Sequence, residues 1–319
     1  MDVLSDVLRA VRLEGALFFN AEFSAPWCVS QARSSVMAPH MSLSAEHLIM
    51  YHFLTEGQAY ARLSDGRQEE LRAGDVLIFP HGDAHVLGNG SCIRPVDSLH
   101  TFEKNLSEGL KLVQFGGGGE ITRFVCGFLA CKPRLSEVFL AGLPAMLKVH
   151  IAGEPEGQWL AHSIRFSVGD GENSYAGSAL VRARLSEVLF VETLRRYINA
   201  LPADRTGWLA GARDPIIGQA LALLHKEPGA PWTISSLARR VGLSRTRLAG
   251  RFRHFLGKSP MAYLAQWRLK LGAEILQSTE DSIVEVAVAV GYGSEAAFNR
   301  AFKRQFGCPP AQFRRKRTQ

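Results

Sequence analysis

The sequence predicts an α+β protein in which an N-terminal β-barrel with flanking helices is followed by an all-α C-terminal third. Three observations predict it. Short apolar runs separated by Gly and Asp turns fill the stretch from Ile49 to Gln114, and the apolar spacing turns helical from about Gln158. Beyond residue 230, a pattern of helix, glycine turn and second helix occurs twice.

Ile49-Met50-Tyr51-His52-Phe53-Leu54 is an apolar and aromatic run, Ala59-Tyr60-Ala61-Arg62-Leu63 a second, and Val76-Leu77-Ile78-Phe79 a third that runs into Pro80. Polar turns at Asp65-Gly66 and Gly74-Asp75 separate them, and short strands at such spacing form a small barrel or sandwich. Gly116 to Gly119 does not lie between a strand and a helix, so it reads as a loop rather than a phosphate cradle. Leu180, Val181, Leu185, Val188, Leu189 and Leu194 form an apolar stripe on a helix running to about Asn199, and this stripe is expected to dimerise the chain. Residues 202–213 carry Pro, Gly and small polar residues and read as a linker. Asp214-Pro215 then starts a helix, with Asp214 as N-cap and Pro215 where no N–H donor is needed. The expected division is a first domain over residues 1–201, a linker over 202–213 and a second domain over 214–319.

Charge divides along the same boundary. Residues 214–319 hold 17 Lys and Arg against 7 Asp and Glu, whereas residues 1–213 hold 20 against 23. A basic domain on a mildly acidic body points to a polyanionic partner, nucleic acid first. The N-terminus has apolar residues at helical spacing from Val3 to Leu8, without the basic start and long apolar core of a signal peptide. No stretch has the length of a membrane span. Five cysteines without regular spacing fit a reducing compartment better than a disulfide framework, so the chain is expected to be soluble and cytoplasmic.

The repeated pattern carries the sharpest chemistry. Thr233 caps a helix with Ile234, Leu237, Ala238 and Val241 on one face; Gly242 turns the chain; Ser244 caps a second helix with Leu248, Phe252 and Phe255 inward. The same order returns with Ser282, then Ile283, Val286, Ala287 and Val290, the turn at Gly291, and Ser294 ahead of Phe298, Phe302 and Phe306. This is the helix-turn-helix pattern, whose second helix lies in the major groove of DNA. With Leu248 and Phe252 inward, Thr246, Gly250 and Arg253 face outward; in the second unit Ala296, Arg300 and Lys303 do, with Asn299 beside them. Arg300 suits a guanine edge and Asn299 an adenine edge, while Arg251, Lys303, Arg304 and the capping Ser244 and Ser294 suit phosphate. A spacer helix from Pro260 to about Gln277, about 26 Å long, would set the two units in major grooves about 34 Å apart, with Gly272 as a loosening point.

Residues 214–315 resemble the DNA-binding domain of AraC/XylS-type regulators, and the stretch from Ala287 to Pro310 is close to that family's signature. The resemblance implies seven helices and double-stranded promoter DNA as partner. It implies base contacts at Thr246, Gly250, Glu295, Ala296, Asn299 and Arg300, with Ser244, Arg245, Arg253, Ser294 and Lys303 completing the DNA surface. Gly250 departs from the pattern, since relatives often carry a long polar residue there. A homodimer is expected, with RNA polymerase as a candidate contact.

Gly74-x5-Pro80-x-Gly82-x2-His85-x3-Asn89 resembles the second motif of the cupin barrel. The first motif is partial: His52 and Glu56 have its H-x3-E spacing, but Met50 stands where an earlier histidine is usual. The resemblance implies a cupin-like domain in which His52, Glu56 and His85 hold a divalent metal, zinc, iron or nickel; the alternative is two histidines packed inside a ligand pocket. The segment Arg123-Phe124-Val125-Cys126-Gly127-Phe128 is similar to the cupin subgroup found ahead of such DNA-binding domains, some of whose members answer oxidants. Cys126 and Cys131 are the candidate redox residues, against the plainer reading of buried thiols. The expected function is a transcription regulator whose barrel senses a small molecule, a metal or an oxidant. The competing readings are a cupin metalloenzyme, an oxygenase or isomerase with a DNA-binding appendage, and a structural DNA-binding protein. Met50 argues against the enzyme, and the well-formed second motif against the purely structural protein.

Overall fold

The computed structural model describes residues 13–41, 47–91, 94–98, 112–131, 140–169, 176–202 and 204–315, with Leu4, Ser5 and Leu8. The helical spacing expected over residues 1–8 lies mostly outside the described residues. The chain divides into two units, residues 12–133 with 143–200, and residues 201–319 with 1–11 and 134–142.

In the first unit the strands are β1 (Glu14–Ser24), β2 (Trp27–Gln31), β3 (His47–Glu56), β4 (Gln58–Leu63), β5 (Gln68–Arg72), β6 (Asp75–Phe79), β7 (His85–Asn89), β8 (Val96–Asp97), β9 (Val113–Gly116), β10 (Ile121–Cys131) and β11 (Leu147–His150). One sheet runs β11-β6-β3-β10-β1-β9 and the other β5-β4-β7-β2-β8. Residues of both sheets share one apolar interior that includes Trp27, Met50, Leu54, Phe79, Leu87 and Phe124. β3 is buried on both faces, which is why its sequence is a continuous apolar run. Leu48, Met50 and Leu54 belong to the interior, and Tyr51 points the other way, as period-two alternation requires. On that other side lie α1 (Pro155–Gly169) and α2 (Ser178–Ala200), and Tyr51 Oη hydrogen-bonds Ser186 Oγ of α2 at 2.8 Å in a buried position.

The apolar stripe expected on this last helix is split by the structure. Leu189 and Leu194 are buried, together with Phe190 and Ile198, whereas Leu180, Val181 and Val188 are exposed with Val191. One set packs within the unit, and the other faces outward.

The second unit is all helical: α3 (Trp208–Arg213), α4 (Pro215–Lys226), α5 (Ile234–Arg240), α6 (Arg245–Leu256), α7 (Pro260–Ser278), α8 (Ile283–Ala289), α9 (Glu295–Phe306) and α10 (Pro310–Arg315). Helices α4 to α10 are the seven expected. Residues 202–213 differ from a free linker, because α3 lies within them and buries Trp208 and Leu209. Trp208 Nε1 donates to Tyr263 Oη at 2.9 Å, and the same hydroxyl shares a hydrogen bond with His225 Nε2 at 2.7 Å. His225 also stacks on Trp267, with ring centroids 4.1 Å apart.

Burial pushes the His225 imidazole down to about 3. Its folded value therefore lies below the ordinary value of about 6.5, and protons favour the unfolded chain as pH falls between these limits. The expected outcome is a melting temperature that drops between about pH 7 and pH 5, and drops less in His225→Phe, which keeps the stack. Parallel declines in both proteins would remove His225 as the cause.

Candidate nucleic-acid interface and barrel site

Each recognition helix begins on a serine. Ser244 Oγ accepts the Arg247 N–H at 3.3 Å, and Ser294 Oγ accepts the Ala297 N–H at 3.2 Å. The helices before them start on capping boxes, Thr233 with Ser236 and Ser282 with Glu285. The turn at Gly291 has φ +82°, and a Cβ there would stand 2.8 Å from Arg268 and from the Gly229 carbonyl, so no larger residue fits.

Leu248 and Phe252 of α6, and Phe298 and Phe302 of α9, are fully buried, and this fixes which faces look outward. Ser244, Arg245, Thr246, Gly250 and Arg253 are exposed on α6, as are Ser294, Ala296, Arg300 and Lys303 on α9. Glu295 and Asn299 are half-buried and joined, Asn299 Nδ2 donating to Glu295 Oε1 at 3.3 Å. Arg251, expected at phosphate, is instead paired with Asp214, the N-cap of α4. Burial alone would raise the Asp214 carboxyl; Arg251 and the N–H groups of Ile217 and Ile216 outweigh it and hold the group below the ordinary carboxylate range.

Sequence reasoning missed Arg268. From α7 its guanidinium donates to Pro228 O and Ala230 O, both at 2.7 Å, and to Gly291 O at 3.1 Å. Residues 228–230 lead into the first helix-turn-helix, and Gly291 is the turn of the second. The available signal was a charge between the apolar Trp267 and Leu269 on the inward side of an amphipathic helix. Gly272, expected to loosen α7, tightens it: a Cβ there would meet the Phe298 ring at 3.0 Å, so glycine admits the recognition helix against the spacer.

In the barrel, His52 of β3, His85 of β7 and Cys126 of β10 come together. His52 Nε2 and His85 Nε2 are 2.8 Å apart, His52 Nδ1 is 3.1 Å from Cys126 Sγ, and His85 Nδ1 is 2.9 Å from Asp83 O. A carbonyl can only accept, so His85 Nδ1 carries its ring proton and His85 Nε2 accepts. His52 then donates from Nε2 and accepts at Nδ1 from the Cys126 thiol. One backbone carbonyl thus sets the direction of the whole chain. Burial lowers the His52 imidazole well below its ordinary value, with His85 adding to the effect, and lowers His85 to about 4 against the Asp83 contact. Burial pushes the Cys126 thiol far up, which keeps it protonated and disfavours thiolate chemistry.

Glu56 is not part of this group. The register of β3 against β10 shifts between Leu54 and Glu56, opposite Phe124 and Arg123, so Thr55 is an extra residue. Glu56 turns out to solvent and pairs with Arg123, which also holds Glu22. The H-x3-E spacing presumed an unbroken strand, and the bulge defeats it. His52, Glu56 and His85 therefore do not assemble as a divalent-metal set, and among the described residues no three His, Cys, Asp or Glu side chains converge as metal ligands. Cys131 is buried but stands five residues from Cys126 on β10, about 17 Å along the strand, beyond disulfide reach. Among the described residues Cys126, Cys131 and Cys308 form no disulfide, whereas Cys28 is disulfide-bonded, which departs from the expectation of a chain without disulfides.

Two capped helix-turn-helix units behind a two-sheet barrel define a DNA-binding regulator with a cupin domain. Residues 2–199 match the Cupin family, and residues 237–316 match the Helix-turn-helix domain family. The chain belongs to the AraC-type transcription regulators that carry an N-terminal cupin domain. It is similar to the HTH-type transcriptional regulator AlkR of Acinetobacter baylyi, at 28% identity over 98% of this chain and 99% of that protein. The HTH-type transcriptional regulator MtrA of Neisseria gonorrhoeae is 28% identical over 99% of this chain and 98% of its own. The RCS-specific HTH-type transcriptional activator RclR of Escherichia coli is 27% identical over 98% and 97%. Among the described residues no helix is long and apolar enough to cross a membrane.

A Cβ at Gly250 would meet nothing within 4 Å, so packing does not call for glycine in the middle of α6. Gly250→Ala is expected to stabilise the protein by about 1 kcal/mol, seen as a raised melting temperature. A lowered melting temperature would mean that α6 is held by something other than the face described.

Proposed function

We propose that the protein regulates transcription by binding promoter DNA as a homodimer through α6 and α9, with the barrel as the domain that senses an effector. The observation that carries this reading is the pair of exposed recognition faces held on one spacer helix and tied by Arg268. Helix α7 has 19 residues, so it is about 28 Å long, close to the ~34 Å between successive major grooves on one face of the duplex. On α9, Arg300 reads a guanine edge, and Asn299 reads adenine once released from Glu295. On α6, Thr246 and Gly250 offer no long donor, so this helix comes close to the bases and reads thymine methyl groups. Arg245, Arg253 and Lys303 meet phosphates, and the capped N-termini at Ser244 and Ser294 face the backbone.

The exposed apolar row on α2, Leu180, Val181, Val188 and Val191, is taken as the dimer face. The effector is expected to act on the barrel interior around His52 and His85. The relative named RCS-specific raises oxidant sensing, but the buried, protonated thiol of Cys126 favours a stimulus that works without a thiolate there. A metalloenzyme would require the ligand set from which Glu56 is withdrawn.

Arg300→Ala is expected to weaken promoter binding about 10- to 100-fold and to relax base preference at one position, read by binding to single-base promoter variants. Equal affinity across the same variants for mutant and wild type would reverse the assigned orientation of α9. Light scattering tests the dimer. At micromolar concentration the wild type is expected to be a dimer and Val181→Glu/Val188→Glu a monomer, and a monomeric wild type would refute the assignment.

A further inference from the structure

The two helix-turn-helix units share more than a spacer helix, because their backbones touch. Residues 228–230, on the way from α4 to α5, lie against the turn between α8 and α9. A Cβ on Gly229 would stand 2.9 Å from the Ala289 carbonyl oxygen, and one on Gly291 would stand 2.8 Å from the Gly229 carbonyl oxygen. Neither separation leaves room for a side chain, so glycine on both sides is what allows the approach. Arg268 closes over this contact from α7, bonding the carbonyls of Pro228 and Ala230 on one side and that of Gly291 on the other. A guanidinium is planar and its donors keep fixed directions, so three acceptors bound to it are held relative to one another.

Each unit is also seated on α7 by an aromatic of its own recognition helix. Phe252 of α6 stands edge-on to Tyr263, with ring centroids 5.7 Å apart. Phe298 of α9 lies against Gly272, where a Cβ would meet its ring at 3.0 Å. The first unit is thus joined to α7, the second unit to α7, and the first unit to the second. With the two aromatic seats alone, each unit could swing about its own attachment. The Gly229–Gly291 contact, clamped by Arg268, closes the triangle and removes that hinge.

We infer that Arg268 is a positioning residue for DNA recognition and that, with the Gly229–Gly291 contact, it makes the spacing of the two half-sites part of the specificity. This rests on both units entering the major groove, as proposed above. One added base pair moves the far half-site about 3.4 Å along the duplex and turns it by about 35°. A jointed reader follows that change by swinging one unit. A closed one must give up contacts or deform the DNA, and either costs affinity. Three of the Arg268 donors serve carbonyls of the protein, so this residue reads no base; it sets the separation at which two base sequences are read together.

The test uses the full-length protein and a duplex that the wild type selects from a random library, with the protected grooves mapped by hydroxyl-radical footprinting. One base pair is then added or removed between the two grooves. The wild type is expected to lose about 30-fold in affinity for either change, within the range that one mismatched base pair costs. Arg268→Met keeps the stem but lacks the fork. It is expected to bind the selected duplex about 5-fold more weakly, and to lose no more than about 3-fold for either change of length. Single-base changes inside each half are expected to cost it what they cost the wild type. Gly229→Ala, which forces the two backbones apart with Arg268 in place, is expected to relax the spacing in the same way and keeps the test open if Arg268→Met fails to fold. A folded variant of either kind that penalises both length changes as steeply as the wild type would overturn the inference. So would a wild type that protects two grooves yet tolerates both changes, or a variant that loses base preference in one half. Protection of a single groove by the wild type would overturn the two-unit reading itself, and the inference with it.

Discussion

The guanidinium of Arg268 must satisfy its donors in a half-buried position, and it does so on three carbonyl oxygens that belong to neither its own helix nor a single neighbour. Two lie on the approach to the first helix-turn-helix and one at the turn of the second. Charge-assisted bonds of this kind are the stronger members of their class, and leaving their acceptors unpaired is costly. One side chain on the spacer helix thus ties the approach to the first unit to the turn of the second, with Phe298 seated against Gly272 as its apolar counterpart. A reader with two such elements on one chain needs that rigidity, because each degree of freedom between them would be lost again on binding.

The barrel solves a different problem with similar means. β3 has to serve an apolar interior on one face and a helix on the other, and strict alternation delivers His52 inward beside Tyr51 outward. The bulge at Thr55 ends that alternation one residue before Glu56. Had the strand run on unbroken, a carboxylate would stand inside a greasy interior beside two imidazoles, and neutralising it would have required a metal or a proton. The bulge instead gives Glu56 to Arg123 at the surface and leaves a fully hydrogen-bonded neutral chain within.

Much of this was legible in the residues. The capping serines, the turn glycines and the inward Phe252, Phe298 and Phe302 follow from local rules that hold within a dozen residues, and the structure places each where spacing put it, whereas Phe255 and Phe306 at the helix ends are only half-buried. What escaped was set by partners distant in sequence. Arg251 looked free until Asp214 came to it from α4, and Arg268 looked like one charge among many until three carbonyls gathered around it. The H-x3-E spacing failed for a related reason, since a bulge is a property of two paired strands and not of either alone. Trp208 was hidden because composition weighs the glycines around it more heavily than one large anchor.

The Asp214–Arg251 pair also bears on how the two recognition helices respond to ionic strength. A cation that meets a DNA phosphate frees counterions, and each such contact steepens the fall of affinity with salt. Arg251 already has its counter-charge within the protein, so it has no such ions to release and adds little to that slope. On the proposed reading α6 still brings Arg245 and Arg253 to phosphates, while α9 brings Lys303 and sets Arg300 to a base edge. Two such contacts on α6 against one on α9 would then make the α6 half the more salt-sensitive, and a cell whose ionic strength rises would favour promoters with the better sequence match at the α9 half.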